Sequence, residues 1–246
     1  MINKFASLLI LFFCSVTAFA QENQPIKKRG RPDIPGTFVV ELGLNRAQQA
    51  PSDFKIGLWG SRTINFYYQY DIRILKSRFS FVPGIGLSLE RYKFKNNNIL
   101  SYANNTTDSV VLMTPTQAGI TGVKRSQLIT NYIEIPIEIK YSSKPDDPAR
   151  SFKASIGGRI GYLYDSFTKV KYKENGEKKV YKDKQNFNLN SFRYGLYGKV
   201  GIGNFSVFTY YNISPLFKTG KGFRSNTAAG FNDFNTITVG ISLASF

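Results

Sequence analysis

Between Asn131 and Tyr141 the chain reads NYIEIPIEIKY, with isoleucines at 133, 135, 137 and 139 alternating with Glu134, Pro136, Glu138 and Lys140. Successive side chains of a β-strand point to opposite faces, so this ribbon has one aliphatic wall and one ionisable wall. Two kinds of fold accept it. A soluble calyx would turn the isoleucines inward and the charges to water. A membrane barrel would turn the isoleucines to lipid and enclose the charges.

The same two-residue period runs through seven further segments. In Asn65 to Ile74, Phe66, Tyr68, Tyr70, Ile72 and Ile74 oppose Asn65, Tyr67, Gln69, Asp71 and Arg73. In Phe79 to Glu90, Phe79, Phe81, Ile85, Leu87 and Leu89 oppose Ser80, Gly84, Gly86, Ser88 and Glu90. Phe152 to Asp165 sets Phe152, Ile156, Ile160, Tyr162 and Tyr164 against Lys153, Ser155, Arg159 and Asp165. Phe192 to Ile202 sets Phe192, Tyr194, Leu196 and Val200 against Arg193, Tyr197 and Lys199. Thr37 to Leu44, Phe205 to Ile213 and Thr236 to Leu243 alternate less cleanly. Eight strands are predicted. Pro136, without an N–H, predicts a local bulge or a lost ladder bond, and Phe246, out of phase with Ile237 to Leu243, a bulge near Ala244 or a frayed end.

The connections alternate in length. Long ones cover about 45–61, 94–127, 166–191 and 214–235; short ones cover 75–78, 142–151 and 203–204. Long loops at one end and short turns at the other are the pattern of an outer-membrane barrel whose turns face the periplasm. The expected fold is therefore all-β: an eight-stranded antiparallel up-and-down transmembrane β-barrel over residues 37–246, with long extracellular loops.

The polar wall of these strands holds Asp71, Glu90, Glu134, Glu138 and Asp165 against Arg73, Lys140, Lys153, Arg159, Arg193 and Lys199. The whole chain has 33 Lys and Arg against 16 Asp and Glu, a formal net charge of +17. So even a balance on one wall suits an enclosed lumen, where an unpaired charge is costly. Gly84, Gly86, Gly157, Gly161, Gly195, Gly201 and Gly240 share that wall, and a narrow bore needs small residues between large ones. A soluble lipocalin-like lipid carrier is the alternative on the same alternation; the loop asymmetry and the glycines weigh against it.

Residues 1–20, MINKFASLLILFFCSVTAFA, predict a secretory signal peptide, and the polar, basic residues 21–36 a periplasmic tail. The one cysteine, Cys14, lies in the leader, so no disulfide is expected. No later apolar run reaches the length of a spanning helix. In an exported chain the basic excess points to anionic lipid headgroups or cell-surface polysaccharide, not to nucleic acid.

The chain has no histidine, which removes Ser-His-Asp chemistry and the commonest metal ligand. Glu134 and Glu138 share one face but stand roughly 13 Å apart, too far for a typical glycosidase pair. Neighbouring-strand bases such as Lys153 or Arg159 are their expected partners. GIGLS (84–88) and GKGFR (220–224) lack the strand–loop–helix setting of phosphate loops. No catalytic, cofactor or metal residue is expected. The stretch Lys169 to Lys184 is different: Asn175-Gly176 is a two-residue hairpin turn, flanked by Lys169, Lys171, Lys173, Lys178, Lys179, Lys182 and Lys184. It reads as a charge-protected extracellular hairpin, or as a contact surface for phosphorylated lipid A or an acidic protein.

NYIEIPIEIKY, the following RIGYLY, YYNISPLFKTGKG and the last strand TVGISLASF together resemble the PorT-like outer-membrane β-barrel family, over most of the chain after the leader. The resemblance implies an outer-membrane barrel and, through the family's founding member, a link to type IX protein secretion; it transfers no catalytic residue. The expected function is a non-enzymatic outer-membrane component in contact with lipid, lipopolysaccharide and an envelope or secretion-complex protein. A small channel or transporter is the alternative, although eight strands leave a bore that side chains fill.

Overall fold

The computed structural model describes residues 36–103, 108–225 and 230–245. The expected leader, the expected tail up to residue 35, and Phe246 lie outside the described residues. The strands are β1 (Thr37–Gln48), β2 (Arg62–Gln69), β3 (Ile72–Arg73), β4 (Phe79–Lys93), β5 (Ile99–Tyr102), β6 (Val110–Met113), β7 (Val123–Ser142), β8 (Phe152–Glu174), β9 (Glu177–Asp183), β10 (Phe192–Ile202), β11 (Phe205–Asn212) and β12 (Asn235–Ala244).

Eight of them close an antiparallel ring in the order β1, β2, β4, β7, β8, β10, β11, β12. The seam pairs β1 with β12 without a break, from Val39 opposite Ala244 to Gln48 opposite Asn235. β9 pairs along the outer half of β8, and β5 and β6 form a separate hairpin among the long connections.

The wall alternates as the period requires. Ile133, Ile135, Ile137 and Ile139 are each more than 40 % exposed, whereas Glu134 and Glu138 are at most 1 % exposed. The apolar side is therefore outside, which overturns the lipocalin-like alternative. On β8 the outward apolar run from Phe152 to Tyr164 covers roughly 40 Å of strand, or about 30 Å along the barrel axis at the ~40° tilt of such barrels. Aromatic pairs bound it: Phe38–Tyr68 and Phe79–Tyr141 at the short-turn end, Tyr162–Phe192 towards the other.

Several boundaries differ from the expected ones. The segment Asn65 to Ile74 is not one strand: β2 ends at Gln69, and β3 resumes on β4 in the same register. Pro83 of β4 stands at the break and has no N–H to give. Pro136 produces no bulge. The β4–β7 ladder stops at Pro83 opposite Ile137 and resumes at Gly86 opposite Glu134 with the register unchanged, so only bonds are lost. The expected loop after Asp165 is a continuation of β8 into the β8–β9 hairpin, turned by Asn175 and Gly176 with φ of 50° and 83°. Both central residues of a type I′ turn need such values.

At the long-loop end the connections fold into an apolar cap. Phe54, Phe94, Phe187, Leu189, Leu216, Phe217, Phe223 and Phe234 from the loops pack on the inward-facing Tyr92, Leu128, Tyr132 and Leu163 of the barrel. The Phe54 ring touches four others, Phe94, Phe217, Phe223 and Phe234. Backbone hydrogen bonds stitch the loops together, among them Val110 N–H to Gly222 O and Asn190 N–H to Leu216 O, both 3.1 Å. A loop can be buried only when its backbone polar groups find such partners.

Candidate functional site

Inside the ring, side chains and glycines alternate around the bore. Tyr67 on β2, Gly86 on β4, Glu134 on β7, Gly161 on β8 and Arg193 on β10 stand in one lateral row. The glycines clear a path across which Glu134 reaches its partners. A Cβ on Gly86 would lie 2.0 Å from Phe66 O, and one on Gly157 would lie 2.0 Å from Ile137 O. Strands coiled this tightly admit no side chain at those points.

Arg193 donates from Nε to Glu134 Oε1 at 2.8 Å, pairs with Glu90 at 2.8 Å and donates to Ser88 Oγ at 2.8 Å. Tyr67 donates to the other Glu134 oxygen, and Tyr92 to Glu90 Oε2 at 2.7 Å. Arg159 donates to both oxygens of Glu41 at 2.9 and 3.1 Å; Tyr197 and Asn65 donate to the same carboxylate. The guanidinium of Arg159 lies 3.9 Å over the Tyr197 ring, and that of Arg193 lies 3.7 Å over Tyr132. Each ion is thus held by charge, hydrogen bond and aromatic face together, which an ion taken out of water requires.

The positions of the expected lumenal residues can be given one by one. Glu90, Glu134, Glu138, Arg159 and Arg193 are buried in the bore, and Lys199 pairs with Glu138 at 3.4 Å. Among the described residues no salt bridge joins Lys153 or Arg159 to Glu134 or Glu138; Arg159 is held by Glu41 instead. β8 sets Gly161 and Gly157 directly opposite the two glutamates, so their partners come from β10 and β2. Lys140 pairs with Asp71 and Lys153 donates to Gly203 O at 2.9 Å, both near the short-turn mouth. Arg73 lies at the rim of that mouth, paired with Asp146 at 2.9 Å. Asp165 is not lumenal: an extra residue, Tyr164, shifts the β7–β8 register beside it, and Asp165 meets Lys184 at 3.0 Å and Asn131 on the outer wall.

Glu41 was missing from the expected set. Its parity in TFVVELGL, shared with Val39 and Asn45, was the available signal.

A second constellation lies outside, at the long-loop edge of the apolar belt. The outward face of β2 and β4 passes from Phe66 and Leu87 to Arg62 and Arg91, which stand directly opposite each other. On β7 and β8, Arg125 stands opposite Lys171. None of these four forms a salt bridge among the described residues. Beside them Lys169 has its pKa lowered from 10.5 by partial burial and then by Lys171, Lys182, Arg91 and Arg125. Lys173, Lys178, Lys179 and Lys182 continue the charge along the hairpin, where Glu174 beside Lys179 holds that ammonium above its ordinary range. The three arginines were not among the expected site residues, because each lies outside the predicted strand segments: Arg62 before Asn65, Arg91 after Glu90, and Arg125 within the expected connection 94–127.

A family model described as "Outer membrane protein beta-barrel domain" matches residues 19–219. Among solved structures, the chain is similar to Ail, the attachment invasion locus protein of Yersinia pestis, at 10 % identity and a TM-score of 0.32, covering 85 % of this chain and 97 % of that one. It is similar to Neisserial surface protein A (NspA) at 13 % identity and a TM-score of 0.32, covering 85 % and 96 %. No curated protein matches it.

Proposed function

We propose, from the premise that this chain belongs to the outer membrane protein beta-barrel domain family, that it is a non-enzymatic envelope component whose outward cationic rim holds the phosphates of lipopolysaccharide. The protein resides in the outer membrane. The observation that carries the reading is the register of two like-charge pairs, Arg62 opposite Arg91 and Arg125 opposite Lys171. Like charges directly opposite on a sheet destabilise it, and a phosphate between them reverses the sign. The pairs stand where the apolar belt ends, at the depth of lipid headgroups. Arginine suits the task because its planar fork binds phosphate oxygens two at a time.

The test is lipopolysaccharide retained on purification. Barrel extracted from outer membranes should carry bound lipopolysaccharide, and Arg91→Gln with Arg125→Gln should lose most of it while the barrel stays closed. Equal retention in the double variant sinks the reading.

A second reading rests on β9. Among the described residues this strand pairs only with β8, and Val180 and Tyr181 on it are exposed, so its outer edge can accept a strand from an envelope or secretion-complex protein. The PorT-like resemblance supports a partner of that kind. A photo-crosslinker at Val180 in intact cells should trap one discrete protein; a smear or no adduct counts against it.

A further inference from the structure

The β8–β9 hairpin sorts its charges by face. Residues directly opposite each other across an antiparallel pair share a face of the sheet. Lys169, Lys171 and Lys173 of β8 therefore share one with Lys182, Val180 and Lys178 of β9, and no acid stands among them. The carboxylates within that ladder, Glu174, Glu177 and Asp183, all lie on the other face, where Glu174 pairs with Lys179 at 2.5 Å. The five lysines of the first face form no salt bridge among the described residues; Lys182 lies 5.9 Å over the Phe167 ring, which holds it without neutralising it. An edge guarded against stray pairing needs charge, but not this sorting.

The turn fixes which backbone groups face outward. In a two-residue hairpin the residues flanking the turn, here Glu174 and Glu177, exchange both ladder bonds, and pairs of that kind alternate with pairs that exchange none. Lys178, Val180 and Lys182 fall on the second kind. Their N–H and C=O groups point away from β8, to the edge where β9 has no other strand among the described residues. All three residues are exposed. The backbone groups that can bond an incoming strand thus belong to residues whose side chains present, in order, a cation, an apolar group and a cation.

We propose that the outer edge of β9 takes a strand of another protein that carries an acid, an apolar residue and an acid at its first, third and fifth positions. The inference rests on the reading of β9 as an acceptor edge and names what that edge selects. Opposite charges on neighbouring strands stabilise the pair and like charges weaken it. Lys178 and Lys182 each take a carboxylate, and Val180 takes the apolar side chain between them. The second and fourth positions fall beside Lys179, already paired with Glu174, and Tyr181. The pattern reads the same in both directions, so it fits a parallel or an antiparallel strand.

The experiment is fluorescence anisotropy of labelled peptides with the full chain, refolded in uncharged detergent micelles. The peptide TETVTET should bind saturably. TEEVTTT, of the same composition with its acids on opposite faces, and the neutral TQTVTQT should each bind about tenfold more weakly or worse. Val180→Pro removes an outward N–H and no bond to β8, and should abolish binding. Lys178→Gln with Lys182→Gln should weaken TETVTET by about tenfold. TEEVTTT or TQTVTQT bound as tightly as TETVTET overturns the acid pattern while the acceptor edge stands, as does a lysine variant that binds undiminished. Absence of saturable TETVTET binding overturns the proposal, and the adduct at Val180 in cells then decides separately whether the edge accepts any strand. Undiminished binding to Val180→Pro overturns both, because the lysine face then acts as a charged surface and not through strand pairing. Closure of each variant is read from its heat-dependent gel mobility. Where Val180→Pro does not close, the lysine variant and the three peptides decide.

Discussion

Glu41 and Arg159 stand on β1 and β8, four strands apart whichever way the ring is followed, and join at 2.9 Å across the full bore. The pair is a strut between opposite walls. Removing one partner of a buried pair leaves an uncompensated charge, at about 3–5 kcal/mol. Arg159→Met should therefore lower the unfolding midpoint of the barrel in detergent sharply, whereas Arg159→Met with Glu41→Leu should recover most of the loss. A double variant no better than the single one would show that the aromatic faces around Arg159, not the ion pair, carry the effect.

Gly157 and Gly158 are adjacent on β8, yet they predict opposite results. A Cβ at Gly157 meets Ile137 O at 2.0 Å, while one at Gly158 comes no closer than 3.4 Å to Gly195 O. Gly157→Ala should cost about 1–3 kcal/mol or more through forced strand displacement, and Gly158→Ala close to nothing. Refolding yields of the two variants, read from the heat-modifiable band, measure the difference.

Phe54→Ala should loosen the cap and leave the barrel closed. The ring is 2 % exposed and touches four other phenylalanines, and losing a buried Phe costs about 3–5 kcal/mol. Because the cap is built from loops, the loss should appear as local opening. Limited proteolysis should cut within the long connections of the variant while the strands survive. Unchanged loop cleavage would contradict the cap's dependence on Phe54.

Lys169 links the rim to pH. Its pKa lies below the 10.5 of an ordinary lysine. A bound phosphate favours the ammonium, so the pKa is higher in the complex than in the free protein. On the proposed reading of the rim, affinity for lipid A phosphate should be complete below the free-state pKa and fall as pH rises through it, earlier than an ordinary lysine allows. Lys169→Arg should flatten this dependence, and binding measured as pH rises towards 10.5, the ordinary lysine value, checks it.

The wall of the barrel was legible because the two-residue period is local: Ile133 to Ile139 announces its own faces without reference to any other strand. The partners of the buried charges were not. Glu134 and Glu138 find Arg193 and Lys199 two strands away because glycines occupy the intervening positions, and lateral register cannot be read from one strand. Asp165 changed sides through one inserted residue, Tyr164, which resets the parity after it. The cap had no period at all. Its phenylalanines are scattered over four connections and become a core only when the ring brings the loops together.

The cap also sets the direction in which this molecule faces. Phenylalanines pack over one end and lysines line a recess at the other, so the two ends of the barrel are built from opposite chemistry. The hairpin of β8 and β9 stands exposed at the long-loop end. An apolar cap lies between the two surfaces, and β8 runs from one into the other, so that strand is what they share.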